Sequence, residues 1–315
     1  QGSGTTAIVS ITADGILGNG WSWGGTISDD NRFVAFSSAA SNLVLNDTNG
    51  LTDVFVRDLQ SGTIARVSVG PDGLQSNGAS FAGKPSPDGR FVIFDSSATN
   101  LVPGDTNGVN DTFIHDRQTG ITTRYSVASS GAEGNGRSYG ESISADNRYV
   151  TFSSDASNLV PDDTNGVADV FVRDLELGTT RRVSVNAAGV GGNGASGGGV
   201  ISADGQYVLF VSDADNLVPG DTTVGQDAFV HDLQSGTTTL VSVNSSGEQA
   251  NRPSVASDMT PDGRFVVFYS KAFNLHQGDT ESSWDIFIHD RQTGTTICAS
   301  ERNPFYPGDD QTSQG

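Results

Sequence analysis

SPDGRFVIFDSSATNLVPGDTNGVNDTFIHD, residues 86–116, decides how the rest of the chain is read. It holds a tight-turn signal (Ser86-Pro-Asp-Gly89), an apolar run (Phe91 to Phe94), an Asp-rich loop (Asp105-Thr-Asn-Gly108) and a second apolar run inside Asp111 to Asp116. The loop begins at Asp47, Asp105 and Asp163, and in altered form at Asp221 and Asp279, always in steps of 58 residues. So strict a period marks five copies of one supersecondary unit. A unit this short cannot bury its own apolar face and must stack on its neighbours.

Within the second copy four strands are expected, at 79–85, 90–96, 111–116 and 122–127. In the second of these Phe91 and Ile93 alternate with Val92 and Phe94, so both faces are apolar, as in a sheet covered on two sides. Ser-Pro-Asp-Gly joins the first two strands, and Arg117-Gln-Thr-Gly120 joins the last two. Both are short turns in which glycine supplies positive φ. The second-to-third and fourth-to-first connections are longer. In an antiparallel meander they emerge on one face, which is where a rigid scaffold carries function. Helical periodicity is absent. Four-stranded antiparallel units in tandem imply an all-β fold, a β-propeller.

The run Ser86-Pro-Asp-Gly-Arg-Phe-Val-Ile-Phe94, followed by Asp111-Thr-Phe-Ile-His-Asp-Arg-Gln-Thr-Gly120, resembles the TolB-like, WD40-like (PD40) propeller repeat. Copies starting at Ser28, Ser144, Ser202 and Thr260 extend the resemblance over nearly the whole chain. It implies a propeller, usually six-bladed in TolB-like rings, and it leaves function open among binding proteins, peptidase accessory domains and lyases. Five blades are favoured here, with six as the alternative. A single domain over residues 1–300 is expected, with 301–315 as a tail too short and too rich in Pro, Gly and Asp to supply another blade. Thr6-Ala-Ile-Val-Ser-Ile11 matches Ala65-Arg-Val-Ser-Val69 one period on, so an N-terminal strand is expected to close the ring.

The 315 residues carry a net charge of −20, with only two lysines, Lys84 and Lys271. That argues against nucleic acid as a partner and against adsorption to anionic membranes. No stretch has the length of a membrane span. The polar, acidic composition suggests a secreted or cell-surface protein whose export signal has been removed. The one cysteine, Cys298, excludes an intrachain disulfide; it is read as the counterpart of Ser68, Ser126, Ser184 and Ser242, a packed strand residue.

Three groups of residues are candidates for chemistry. In the Asp-Thr-Asn-Gly loops, Asp47, Asn49 and Asp53, then Asp105, Asn107 and Asp111, then Asp163, Asn165 and Asp169, place oxygens on a sharply turning backbone, as a calcium ion requires. The competing reading is structural: an Asx turn, left-handed Asn-Gly residues and an aspartate fixing the next strand. Asn19, Asn77, Asn135 and Asn193 stand before the first strands, either as a ring for sugar hydroxyls or as turn formers. Trp21 and Trp23 break the symmetry of blade one, with Arg137 and Tyr139 at the same places in blade three. These four are expected to bind a carbohydrate or protein ligand on the long-loop face, or to fill the centre of the ring. His115, His231 and His289 share one repeat position with Arg57 and Arg173, which points to a structural role. No Ser/His/Asp set or phosphate loop is present. The leading expectation is a non-catalytic binding or scaffold module. A carbohydrate-active hydrolase or lyase using face carboxylates is the alternative, and a structural unit of a cell-surface assembly the third.

Overall fold

The computed structural model describes residues 6–223, 225–277 and 283–300. Its twenty strands form five separate four-stranded sheets, and in each the strands lie in chain order and pair antiparallel. Blade two shows the pattern: Ser80–Pro85, Phe91–Ser96, Asp111–Asp116 and Ile121–Arg124, within a few residues of the expected bounds. The chain is a β-propeller of five blades.

Register explains why the repeat keeps its aromatics. Phe94 lies directly opposite Phe113 and the rings stack at 5.6 Å; Phe36–Phe55, Phe152–Phe171, Phe210–Phe229 and Phe268–Phe287 repeat the pair at 5.4–5.9 Å. Cross-strand aromatic pairs of this kind add about 0.5–1.5 kcal/mol beyond their buried area. The cores lie between blades rather than within them. Val54, Val56 and Val67 of blade one pack with Val92, Phe94 and Leu101 of blade two, and three further seams join two to three, three to four and four to five. The first strands of successive blades touch one another, so they are innermost, and the long connections share one face.

One contact shows why the Ser-Pro-Asp-Gly turn is needed. Gly89 has φ +66°, and a Cβ there would fall 2.0 Å from the ring of Phe33 in the preceding blade. Arg117 covers the same ring at 4.0 Å. Glycine therefore serves the turn and the seam at once.

Two expectations change. Each sheet is complete from four consecutive strands, and the fifth uses its own Thr295–Cys298. The N-terminal segment joins none of them: Ile11 makes a single bridge to Leu17, and Val9 packs on Phe36, Ala40, Leu43 and Phe55 of blade one, as Val67 packs on the equivalent residues of blade two. The slot that it was expected to fill is already taken by the chain's own last strand. Register also moves the cysteine. Cys298 pairs with Phe287 as Arg124 does with Phe113, and Ser300 is the counterpart of Ser68 and Ser126. The tail, 301–315, and the altered loop start at Asp279 lie outside the described residues.

Candidate functional site

The Asp-Thr-Asn-Gly loops come first, because their geometry decides the metal question. Asp53 is buried at the start of a third strand and accepts hydrogen bonds from Ser68 and Ser76 at Oδ1. Asn49 turns its amide nitrogen toward Asp53 Oδ2 (2.9 Å) while its oxygen accepts the N–H of Leu51. Arg66 then places Nη1 3.1 Å from Asp47 Oδ1 and 3.5 Å from Asp53 Oδ2. Blade two repeats this with Arg124 Nη1, 3.2 Å from both Asp105 and Asp111 and 3.0 Å from Glu133. Blade three does so with Arg182, at 3.2 Å from Asp163 and 3.1 Å from Asp169. Asn107 and Asn165 donate to Asp111 and Asp169 as Asn49 does to Asp53.

These residues do not fit calcium. A guanidinium holds the point on which the carboxylates converge, and the asparagine offers a donor where a metal needs an acceptor. The loops carry their own cation. Two carboxylates around one guanidinium leave an unbalanced charge, and burial raises the pKa of Asp47, Asp105 (to about 6) and Asp163, the neighbouring Asp53, Asp111 and Asp169 adding to it. Blade four has Leu240 in place of the arginine, and Gln249 donates to both Asp221 and Asp227. There burial lifts the Asp227 pKa to about 7.

The asparagines before the first strands are likewise engaged. Asn77 donates from Nδ2 to Thr99 and accepts the Thr99 N–H, tying two loops together; Asn19 and Asn135 do the same with Ser41 and Ser157, and Asn193 with Asp215. His115, His231 and His289 each pair Nδ1 with a threonine hydroxyl at 2.9 Å, Thr122, Thr238 and Thr296. Those hydroxyls bond carbonyls of the preceding blade, at Val69, Val185 and Val243. Burial lowers the pKa of His115 and His231 to about 4.

What remains open is aromatic. Trp21, at 85 % exposure, stands just before the first strand of blade one. Trp23, Phe81 and Tyr139 occupy one repeat position on the innermost strands of blades one to three, each 42–46 % exposed. Trp23 meets Phe81 at 6.4 Å between ring centroids, so its ring partner is Phe81, the residue between the two pairs picked from sequence. Blades four and five have Gly197 and Val255 there. Arg137 is exposed at the edge beside Tyr139. The platform is thus an arc over three blades.

Two carboxylates beside it were missed. Asp95, directly opposite Phe81 in register, accepts the Gly140 N–H of blade three at 2.8 Å, and burial raises its pKa to about 7. Glu141, two residues after Tyr139, accepts the Ser153 hydroxyl at 3.0 Å and is also raised by burial. Their signal was the one that revealed the tryptophans. Asp95 replaces Ser37, Ser153, Val211 and Tyr269, and Glu141 replaces glycine in three blades.

No family model and no curated protein matches the sequence. Solved structures do match in fold. The chain is similar to a TolB from Agrobacterium tumefaciens (TM-score 0.51, 13 % identity, 89 % of this chain and 80 % of that one). It is also similar to an oligogalacturonate lyase in complex with manganese (0.54, 14 %, 86 % and 63 %) and to the β-propeller domain of the Trilobed protease from Pyrococcus furiosus (0.52, 13 %, 89 % and 72 %). The fold is that of the TolB-like β-propellers. Among the described residues no helix is long and apolar enough to cross a membrane.

Proposed function

We propose that this chain is a secreted or cell-surface, non-catalytic ligand-binding propeller that takes up a carbohydrate on the innermost strands near its long-loop face. The observation that carries this is the arc of Trp23, Phe81 and Tyr139, three half-exposed rings at one register position on neighbouring blades. Flat apolar rings beside polar groups suit the faces of sugar rings. Trp21 and Arg137 flank the arc and would contact a chain longer than one ring. A glycan array followed by calorimetry tests it, comparing the native protein with Trp23→Ala and Tyr139→Ala. Loss of binding in both variants, with melting unchanged, is the expected result. Equal binding by native protein and variants removes the arc from the site.

A second reading, a carbohydrate-active hydrolase or lyase, rests on Asp95 and Glu141. A carboxyl with a pKa near 7 is a competent general acid, and this one lies next to the platform. Turnover of a bound glycan that Asp95→Asn abolishes would favour the enzyme over the binding module.

A further inference from the structure

In the first two blades the residue opposite the ring of the arc reaches across to the backbone of the next blade. Ser37, opposite Trp23, accepts the Ala82 N–H through its hydroxyl at 2.8 Å. Asp95, opposite Phe81, does the same for Gly140 through Oδ1, also at 2.8 Å. A hydroxyl is enough for that task. Asp95 brings a second oxygen, Oδ2, which accepts no hydrogen bond among the described residues. Directly opposite residues of an antiparallel pair stand on one face with Cβ atoms about 5 Å apart, so this carboxyl lies beside the Phe81 ring.

Two more polar groups gather behind it. Thr112 faces Asp95 in register and stands where other blades have Val54, Val170 and Ala228. Tyr125, whose N–H bonds the Thr112 carbonyl, replaces Val67, Val183 and Val241. Both side chains are 0 % exposed, and although the two hydroxyls are neighbours, neither has a partner in hydrogen-bonding geometry. The Tyr125 hydroxyl points to the carboxyl: a Cβ built on Gly140 would fall 2.2 Å from Tyr125 Oη and 3.2 Å from Asp95 Oδ1. Buried donors without partners are rare, and a charged acceptor draws a donor far more strongly than a neutral one. Blade two thus keeps a donor in reserve for an ionised Asp95. Asp95 faces Glu141 and Tyr125, Glu141 in turn faces Lys84, and the exposed Arg137 stands at the edge. Among the described residues no arginine or lysine pairs with Asp95.

Given the carbohydrate reading above, on which this rests, we propose that the sugar held by the arc carries a free, protonated amino group, seated against Asp95 between the Phe81 and Tyr139 rings. Aromatic faces attract cations as well as the faces of sugars. A cation beside Asp95 favours its charged form, and that form engages the Tyr125 hydroxyl. A neutral or N-acetylated sugar brings no such charge. The net charge of −20 draws cationic ligands from solution.

Calorimetry on the full chain at pH 6 and moderate salt compares three oligomers of one length, made of glucosamine, N-acetylglucosamine and glucose. The glucosamine oligomer is expected to bind at least about tenfold tighter than either neutral one. Asp95, with a pKa raised to about 7, holds its proton at pH 6, and an arriving ammonium group displaces it. Heats measured in two buffers of different ionisation enthalpy are expected to show that proton released. Asp95→Ser copies Ser37, keeps an acceptor for the Gly140 N–H, and is expected to fold without the preference or the proton release. Tyr125→Phe removes the reserve donor, leaves Asp95 in place, and is expected to narrow the preference severalfold. Equal binding of all three oligomers, lost in Tyr139→Ala, keeps the arc as a sugar site and overturns the amine. A preference that survives in Asp95→Ser overturns it too, because the net charge is then what selects. Binding by none of the three removes the arc and the amine together.

Discussion

Arg124→Leu asks what the internal cation does. Arg124 is almost buried, and Nη1 sits within 3.2 Å of oxygens from Asp105, Asp111 and Glu133. Removing one partner of a buried ion pair costs about 3–5 kcal/mol, because the other charge stays behind unpaired. At about 2 °C per kcal/mol for a chain of this size, melting at neutral pH falls by roughly 6–10 °C. The sign with pH follows from the carboxylates. Burial already raises the pKa of Asp105 to about 6 although the guanidinium lowers it, so without Arg124 that carboxyl holds its proton further above its unfolded value. The deficit is therefore absent below about pH 4 and grows as the pH rises toward 7. The three oxygens left around the vacated point form a donor set for a hard cation, so millimolar calcium is expected to restore the variant. Native protein, whose arginine holds that point, is expected to melt unchanged with calcium or with chelator. Adding Glu133→Gln copies the arrangement of Leu240 and Gln249 in blade four and is expected to recover part of the loss. Differential scanning calorimetry across pH, with and without calcium, measures all of this. A loss under about 1 kcal/mol at neutral pH, or native protein stabilised by calcium as strongly as the variant, refutes the reasoning.

Asp227→Asn is expected to stabilise the protein at pH 8 and to do little at pH 4. The buried carboxyl has its pKa raised to about 7, and the protein loses its contribution as the pH climbs through that value; urea midpoints at the two pH values check the sign. Gly89→Ala meets both a left-handed backbone and the Phe33 ring and is expected to cost well over the ~1 kcal/mol of Gly120→Ala, which has positive φ but open space around it; paired denaturant curves compare them. The imidazoles of His115 and His231 are expected to stay neutral down to about pH 4, which nitrogen chemical shifts followed from pH 8 to pH 4 will show by their constancy above pH 5.

The fold was legible because the repeat states each rule several times. Phe94 and Phe113, Ser86 to Gly89, and the two-faced apolar second strand recur at fixed spacing, and one unit fixes the rest. The metal reading examined the loop alone and so left out the cation that the chain itself brings there. Arginine stands at 66, 124 and 182 in the three blades with Asp-Thr-Asn-Gly, and Leu240 and Cys298 replace it where the loop has changed. That pairing was available in sequence, but seeing it required knowing that the end of the fourth strand returns to the loop. The misplaced register of Cys298 hid it further. The tryptophans were visible as departures from the repeat, as were Asp95 and Glu141. What sequence could not supply was that Phe81, unremarked by itself, completes the arc. The closing strand failed for a different reason: homology of residues 6–11 to a fourth strand says which slot fits them, not whether another strand already fills it.

Among the described residues every sheet comes from one unbroken length of chain, with no strand lent by another blade. No sheet holds another through a shared strand, so each can come away as a unit under tension. Drawn apart in an optical trap, the molecule would unravel in five like steps, each paying out the same 58 residues, on the order of 200 Å of extended chain.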